Sequence, residues 1–154
     1  MMPTTLIAIR HAEPEPSGGY AEDSLRPLAE KGKAVQHTMS RRLKREGLAP
    51  SKVVTSPFLR AQQTAEILAS TFDIPLETSD ALATKFNGET LLNAIPRDTT
   101  TIFVGHAPTL AFFVNMLCGS EALTFGLSKS GTAVVTFDDD VAFGAGRLQS
   151  YFKP

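Results

Sequence analysis

Apolar residues along the chain fall into two alternating patterns, short unbroken runs and wider spacings of three and four. The short runs predict four buried strands, at residues 4–10 (TTLIAIR), 52–55 (KVVT), 100–105 (TTIFVG) and 132–137 (TAVVTF). Residues 146–153 predict a further strand, which forms a hairpin with the preceding one through a turn region rich in Asp and Gly. Weaker patterns predict a short strand at 74–79 and a helix that begins at residue 88 and ends before Pro96.

The first helical pattern covers residues 28–47. It places Val35, Met39 and Leu43 four apart, which predicts one apolar face on a basic helix. Gly47 is the expected stop, because glycine readily adopts the left-handed conformation that ends many helices.

Two more helices are predicted between the strands. Residues 56–70 begin with Ser56 as the expected N-cap and Pro57 at the first helical position. The stripe that faces the core is expected to consist of Ala61, Ala65, Leu68 and Phe72 in this helix, and of Leu110, Val114 and Leu117 in the helix at 108–119.

Strands separated by helices of this size are typical of an α/β fold. We expect a three-layer sandwich in which a mostly parallel central sheet carries helices on both faces. The 154 residues, 42% of them hydrophobic, fit a single domain spanning residues 1–154.

Composition narrows the function classes. Fifteen Lys and Arg against sixteen Asp and Glu leave a formal charge of −1, which argues against a nucleic-acid-binding protein. The longest apolar run near the start is only LIAI, so no membrane association is expected. A single cysteine, Cys118, offers no intramolecular disulfide, and we expect a soluble, cytoplasmic protein. Because the net charge is close to zero, any anion site must be a local cluster of basic side chains.

Polar groups that bind anions follow three of the predicted strands. Arg10 ends the first strand and His11 follows it directly. Ser56 and Arg60 follow the second strand, and His106 follows the strand at 100–105. In such folds, ligands bind beyond the carboxyl ends of parallel strands. We therefore expect these side chains to meet at one edge of the sheet.

Two arginines and two histidines in one pocket suit a phosphoryl group, because each guanidinium matches two phosphate oxygens. A neutral histidine nitrogen can attack phosphorus near pH 7. His11, next to Arg10 at the strand end, is the better nucleophile candidate. His106 is expected to donate to the phosphoryl oxygens and stabilise the transition state.

Taken singly, these residues have simpler explanations. A lone histidine at a strand end is more often a hydrogen-bonded loop residue than a catalyst. Ser56 and Pro57 are explained as helix-start residues, His37 as a surface residue and Cys118 as a small core side chain. The functional interpretation depends on the coincidence of several anion ligands at the same edge.

Four tracts resemble a known family. IRHAE (9–13) is similar to the signature of the histidine phosphatase (phosphoglycerate mutase-like) superfamily. DSLRPLAEKG (23–32) and SPFLRAQQTAEIL (56–68) resemble the SixA group of phosphohistidine phosphatases, and VGHAPTL (104–110) resembles its second histidine motif. The C-terminal third is similar only in general pattern.

The resemblance implies roles for individual residues. Arg10 and Arg60 would bind phosphoryl oxygens, His11 would become phosphorylated, and His106 would complete the pocket. Arg26 is a weaker candidate for a phosphate or substrate contact. The resemblance implies neither a metal nor an organic cofactor.

Two departures from the superfamily pattern bear on the substrate. Ala12 replaces the usual glycine after the nucleophile, as in SixA-like members. No general acid is obvious, and Glu89, Asp80 and Glu13 are the candidates. Phosphohistidine needs no such acid, because its ring leaves as neutral imidazole, whose conjugate acid has a pKa of about 6.5.

The leading hypothesis is therefore a phosphatase that acts on phosphohistidine of a partner protein of the phosphorelay or phosphotransfer type, through a phospho-His11 intermediate. The first alternative is a small-molecule phosphomonoesterase or mutase of the same superfamily. A binding module for phosphate or phosphopeptides without turnover is the next, and a structural domain without a site is the last.

Overall fold

A six-stranded sheet forms the centre of the molecule in the computed structural model, which describes residues 3–124 and 126–154. Its strands are β1 (Thr4–Arg10), β2 (Lys52–Thr55), β3 (Leu76–Thr78), β4 (Thr100–Gly105), β5 (Thr132–Phe137) and β6 (Arg147–Phe152). They are arranged in the order β3-β2-β4-β1-β5-β6. The strand predicted at 74–79 is present with narrower bounds.

The sheet is mostly parallel, as predicted. β1 pairs in parallel with β4, and β2 pairs in parallel with both β4 and β3. β5 runs antiparallel to β1 and forms the predicted antiparallel hairpin with β6. The carboxyl ends of β1, β2 and β4 therefore lie at one edge of the sheet.

Helices cover both faces of the sheet and complete the three-layer arrangement. They are α1 (Glu30–Arg45), α2 (Leu59–Phe72), α3 (Gly88–Asn93) and α4 (Thr109–Cys118). Two short 3₁₀ helices lie at Asp23–Leu25 and Asp80–Leu82. Alternate residues of β1 contribute to two cores: Ile7 and Ile9 pack with side chains of α1 and α2, and Leu6 and Ala8 pack with side chains of α3 and α4.

The buried face of α1 differs from the predicted one. Met39 and Leu43 are buried, but Val35 is 41% exposed. A step of four residues turns about 40° beyond a full helical turn, so two such steps carry Val35 off the face that buries Leu43. Gln36 and Ser40 are buried there instead, and the Gln36 amide donates to the Ser40 hydroxyl at 3.1 Å.

The start of α2 also corrects the prediction. The helix begins at Leu59 with Phe58 as its N-cap. Both lie two residues later than predicted, since Ser56 was the expected N-cap and Pro57 the expected first residue. The Ser56 hydroxyl accepts the Phe58 N–H at 3.2 Å, and the Ser56 N–H donates to Val104, which continues the pairing between β2 and β4. Ser56 therefore belongs to the strand end and forms the turn before the helix.

The predicted core stripes of α2 and α4 are present. Ala61, Ala65 and Leu68 are fully buried and Phe72 is partly buried, and in α4 Leu110, Val114 and Leu117 are buried. In the part of the chain that the structure describes, no helix combines the length and apolar character needed to cross a membrane.

Candidate functional site

A pocket of about 520 Å³ lies at the carboxyl edge of the sheet. It brings together the predicted Arg10, His11, Arg60 and His106, and Arg26 as well. Its other lining residues are Pro14, Phe58, Ala83, Thr84, Ala107, Thr109 and Lys129. The prediction that these distant tracts meet at one sheet edge is confirmed.

His11 is held at the end of β1 and is only 5% exposed. Its Nδ1 lies 2.7 Å from the carbonyl oxygen of Ala12. A carbonyl oxygen can only accept, so Nδ1 carries the proton that is donated. In the neutral ring, Nε2 therefore holds the lone pair that a nucleophile requires.

The surroundings of His11 keep its ring neutral. Burial is the main cause that lowers its pKa to about 3, and the charges of His106, Arg60 and Arg10 lower it further, against the opposing effect of the Ala12 hydrogen bond. At pH 7 the ring is consequently unprotonated at Nε2 and able to attack an electrophile.

Arg60, the second residue of α2, is fixed by two contacts with one residue of the 3₁₀ helix. Its Nη1 donates to the Asp23 carbonyl at 2.9 Å, and its Nη2 donates to the Asp23 carboxylate at 3.0 Å. The guanidinium also lies 5.0 Å from the centre of the Phe58 ring. These contacts place the charge of Arg60 at the pocket with little freedom to move.

Arg10 is anchored from the C-terminal third of the chain. Its Nη1 donates to the Leu127 carbonyl at 3.1 Å. Burial, followed by the nearby charge of Arg60, lowers the pKa of Arg10. Among the residues that the structure describes, the Nε atoms of Arg10, Arg26 and Arg60 are all buried without a hydrogen-bond partner. Such a concentration of positive charge and unmatched donors suits an anion with several acceptor oxygens.

His106 lies across the pocket from His11, with the two ring centres 5.2 Å apart. Its Nε2 is 2.8 Å from the Ser56 hydroxyl, and its ring and the Phe58 ring pack edge to face with their centres 4.9 Å apart. Burial and then the charges of Arg60 and Arg10 lower the pKa of His106 to about 4. Both pocket histidines are therefore neutral at pH 7.

Several residues of the site escaped the sequence analysis. Asp23 contacts Arg26 at 3.2 Å as well as Arg60, and the hydrogen bond from Arg60 is the main cause that lowers the pKa of its carboxyl. Asp23 lies three residues before Arg26, and this spacing was the sequence signal that could have indicated their ion pair. Lys129 comes from the loop before β5, where no motif pointed to it.

Thr64 connects the two halves of the site. Its hydroxyl accepts the Ala12 N–H at 3.0 Å and donates to the Arg60 carbonyl at 2.8 Å. The residue after the nucleophile is thus tied to the helix that carries Arg60. The spacing of four residues between Arg60 and Thr64 is the helical signal that would have found this contact.

The three general-acid candidates lie outside the pocket lining. Glu13 pairs with Lys31 at 3.0 Å and Lys129 at 3.8 Å, and the hydrogen bond from Lys31 is the main cause that lowers its pKa. Asp80 and Glu89 are exposed in the 3₁₀ helix and in α3. Within the described part of the chain, no Asp or Glu lines the pocket, and no group of three or more His, Cys, Asp or Glu is placed to hold a metal ion.

The pocket at the carboxyl edge of the sheet holds two neutral histidines and three arginines, a set of side chains that suits a phosphoryl group. The family comparison agrees with this class: the sequence pattern of the histidine phosphatase superfamily (branch 1) matches residues 6–91. The chain belongs to this superfamily, and the fold is phosphoglycerate mutase-like. Membership supports phosphatase activity.

Two individual relatives and one solved structure are similar to most of this chain. An uncharacterized protein of Picosynechococcus is 32% identical over 95% of this chain and 89% of its own length. Phosphohistidine phosphatase SixA of Escherichia coli is 29% identical over 77% of this chain and 78% of its own length. A solved structure of the protein histidine phosphatase SixA with tungstate is 23% identical and has a TM-score of 0.80, over 96% of each chain.

Proposed function

We propose that this protein hydrolyses phosphohistidine on a partner protein through a phospho-His11 intermediate. The observation that carries the proposal is the His11 ring, whose Nδ1–H is held by Ala12 while Nε2 keeps its lone pair beside Arg10 and Arg60. A phosphorelay or phosphotransfer protein is the proposed partner, and the cytoplasm is the proposed location.

In the first step, His11 Nε2 attacks phosphorus and forms an N–P bond as the substrate N–P bond breaks. The electron pair of the broken bond stays with the substrate ring, which leaves as neutral imidazole when its other nitrogen carries a proton. Arg10 and Arg60 neutralise the phosphoryl oxygens, and His106 donates to one of them.

In the second step, water attacks the phosphorus of phospho-His11. The N–P bond breaks, its electron pair returns to Nε2, and inorganic phosphate is released together with the proton that the water gives up. The donation from Nδ1 to the Ala12 carbonyl can persist throughout. Because this bond favours the positively charged phosphorylated ring, it stabilises the intermediate.

Two features support phosphohistidine over a phosphate ester. No carboxyl group lines the described pocket to protonate an alkoxide, and imidazole with a conjugate-acid pKa of about 6.5 needs no such proton. Of the 45 residues between Arg60 and His106, only Ala83 and Thr84 are among the lining residues, so this segment supplies little of a lid. A side chain presented by another protein fits such a pocket, and the E. coli relative is named for this activity.

The test is a panel of phosphohistidine proteins, sugar phosphates and nucleotide phosphates, with acid-labile phosphate on the enzyme measured by rapid quench. We expect release from phosphohistidine and a label on His11 that His11→Ala abolishes. His37→Ala, which changes an exposed histidine on α1, is the matched control and should retain both. Hydrolysis of esters alone would favour the phosphomonoesterase or mutase, and binding without turnover would favour a binding module.

A further inference from the structure

Ser56 is fully buried, and its backbone and side-chain polar atoms all have hydrogen-bond partners. Its N–H donates to the Val104 carbonyl at 3.0 Å, and its carbonyl accepts the Thr55 hydroxyl at 3.1 Å. The hydroxyl oxygen accepts the Phe58 N–H at 3.2 Å and lies 2.8 Å from His106 Nε2. The serine is therefore held rigidly between the end of β2 and the pocket.

The single hydroxyl proton of Ser56 decides how these contacts are shared. If Ser56 donates to His106 Nε2, every donor in the cluster has an acceptor. If His106 donates from Nε2 instead, the Ser56 oxygen receives two N–H groups, and within residues 3–124 and 126–154 no acceptor is found for its own proton. A buried hydroxyl without an acceptor is unfavourable, so the first arrangement prevails.

In this arrangement the neutral ring of His106 carries its only proton on Nδ1. In the described part of the chain, Nδ1 has no hydrogen-bond partner and is not among the buried unpaired atoms. The N–H is consequently free to donate to a ligand in the pocket that His106 lines.

We propose that Ser56 is a positioning residue that fixes His106 in the Nδ1–H tautomer, so that this N–H faces a phosphoryl oxygen in the transition state. With the other tautomer, an unprotonated Nδ1 would face that oxygen and repel it. The catalytic consequence rests on the proposed phosphatase function, whereas the tautomer is a property of the free protein.

The tautomer is tested first, without substrate. Nitrogen chemical shifts of ¹⁵N-histidine-labelled protein separate protonated from unprotonated ring nitrogens, and the chain contains only three histidines to assign. At pH 7 we expect a protonated Nδ1 and an unprotonated Nε2 on His106 in the wild type. A protonated Nε2 in the wild type overturns the proposal, whatever the protein's activity.

Ser56→Ala tests the role of the hydroxyl. We expect His106 to become a mixture of tautomers and kcat to fall about tenfold, with a smaller change in KM, because one transition-state donor is partly lost. Thr55→Val is the matched control, since it removes a neighbouring buried hydroxyl that donates to the Ser56 carbonyl and does not touch His106.

The outcomes separate the inference from the proposed function. An unchanged tautomer and full kcat in Ser56→Ala overturn the inference, as does an equal loss in Thr55→Val. A tautomer shift with no phosphatase activity in any variant supports the positioning role and contradicts the proposed function. If Ser56→Ala fails to fold, the same nitrogen chemical shifts and kcat are measured on Ser56→Cys, and the wild-type spectrum still shows which tautomer His106 adopts.

Discussion

The Nδ1 of His11 lies 2.7 Å from the carbonyl oxygen of Ala12, the next residue in the chain. The nucleophile candidate is thus oriented by the backbone of the neighbouring residue, and no carboxylate of the described residues contacts its ring. This short contact fixes the ring at the end of β1 and leaves Nε2 with the lone pair. Burial first, and then the nearby positive charges that include Arg60 and Arg10, oppose any second proton on the ring.

The buried neutral His11 predicts a loss of stability in acid. Between pH 6.5 and pH 3, His11 is protonated in the unfolded chain but not in the folded protein, because its pKa in the folded protein is about 3. The free energy of unfolding should therefore fall with decreasing pH, by up to about 1.4 kcal/mol per pH unit from this residue. In urea unfolding at pH 7.5, 6, 5 and 4, His11→Ala should show a shallower decline. Parallel declines in the two proteins would contradict the prediction.

Replacement of Arg60 by lysine should weaken the site although the charge is kept. The guanidinium reaches the Asp23 carbonyl and carboxylate together and still has Nε for another acceptor, and an ammonium group cannot reproduce this fork. We expect kcat/KM with a phosphohistidine protein to fall about tenfold to a hundredfold in Arg60→Lys. Arg41→Lys, an exposed change on α1, should keep the wild-type value; wild-type activity in Arg60→Lys would exclude a bidentate role.

The carboxylate of Asp23 should matter through the arginine that it orients. Asp23→Ala leaves the backbone contact to Arg60 and removes the carboxylate contacts to Arg60 and Arg26. Because displacement of a positioning group is costly in catalysis, we expect kcat/KM to fall about tenfold. Glu22→Ala is the control, since the carboxylate of this neighbouring residue accepts only from Ser24 in the described structure. A gain of activity in Asp23→Ala would instead show that the carboxylate competes with the substrate.

The hydroxyl of Thr64 should contribute to both stability and activity. Thr64→Val leaves the buried Ala12 N–H without its acceptor, which should cost about 1 to 3 kcal/mol in the free energy of unfolding. The same change loosens the link between Ala12 and α2, so turnover should also decline. Thr71→Val on the same helix removes a hydroxyl whose one hydrogen bond within the described residues is to the Ile67 carbonyl, and it should leave turnover unchanged. Equal effects of the two variants on turnover would argue against the link.

The sequence by itself predicted the fold class and several of the side chains that meet in the pocket. Their meeting was predictable because parallel strands bring their carboxyl ends to one edge, and each side chain lies at or after the end of such a strand. These side chains are Arg10, His11, Arg60 and His106. The core stripes of α2 and α4 were predictable because helical periodicity is a local property. On α1 the same rule was wrong at Val35, because Gln36 and Ser40 occupy the buried face, where the Gln36 amide donates to the Ser40 hydroxyl.

Contacts between distant segments were decided only by the tertiary structure. The sequence explains Ser56 as a helix cap, and nothing local indicates that its hydroxyl reaches His106, fifty residues away. Asp23 orients Arg60, and the Leu127 carbonyl holds Arg10, across separations of 37 and 117 residues. Local pattern fixes which side chains stand at the strand ends. The hydrogen bonds that orient these side chains depend on which loops pack together. Their partners come from segments distant in the sequence, so only the folded structure brings them within reach.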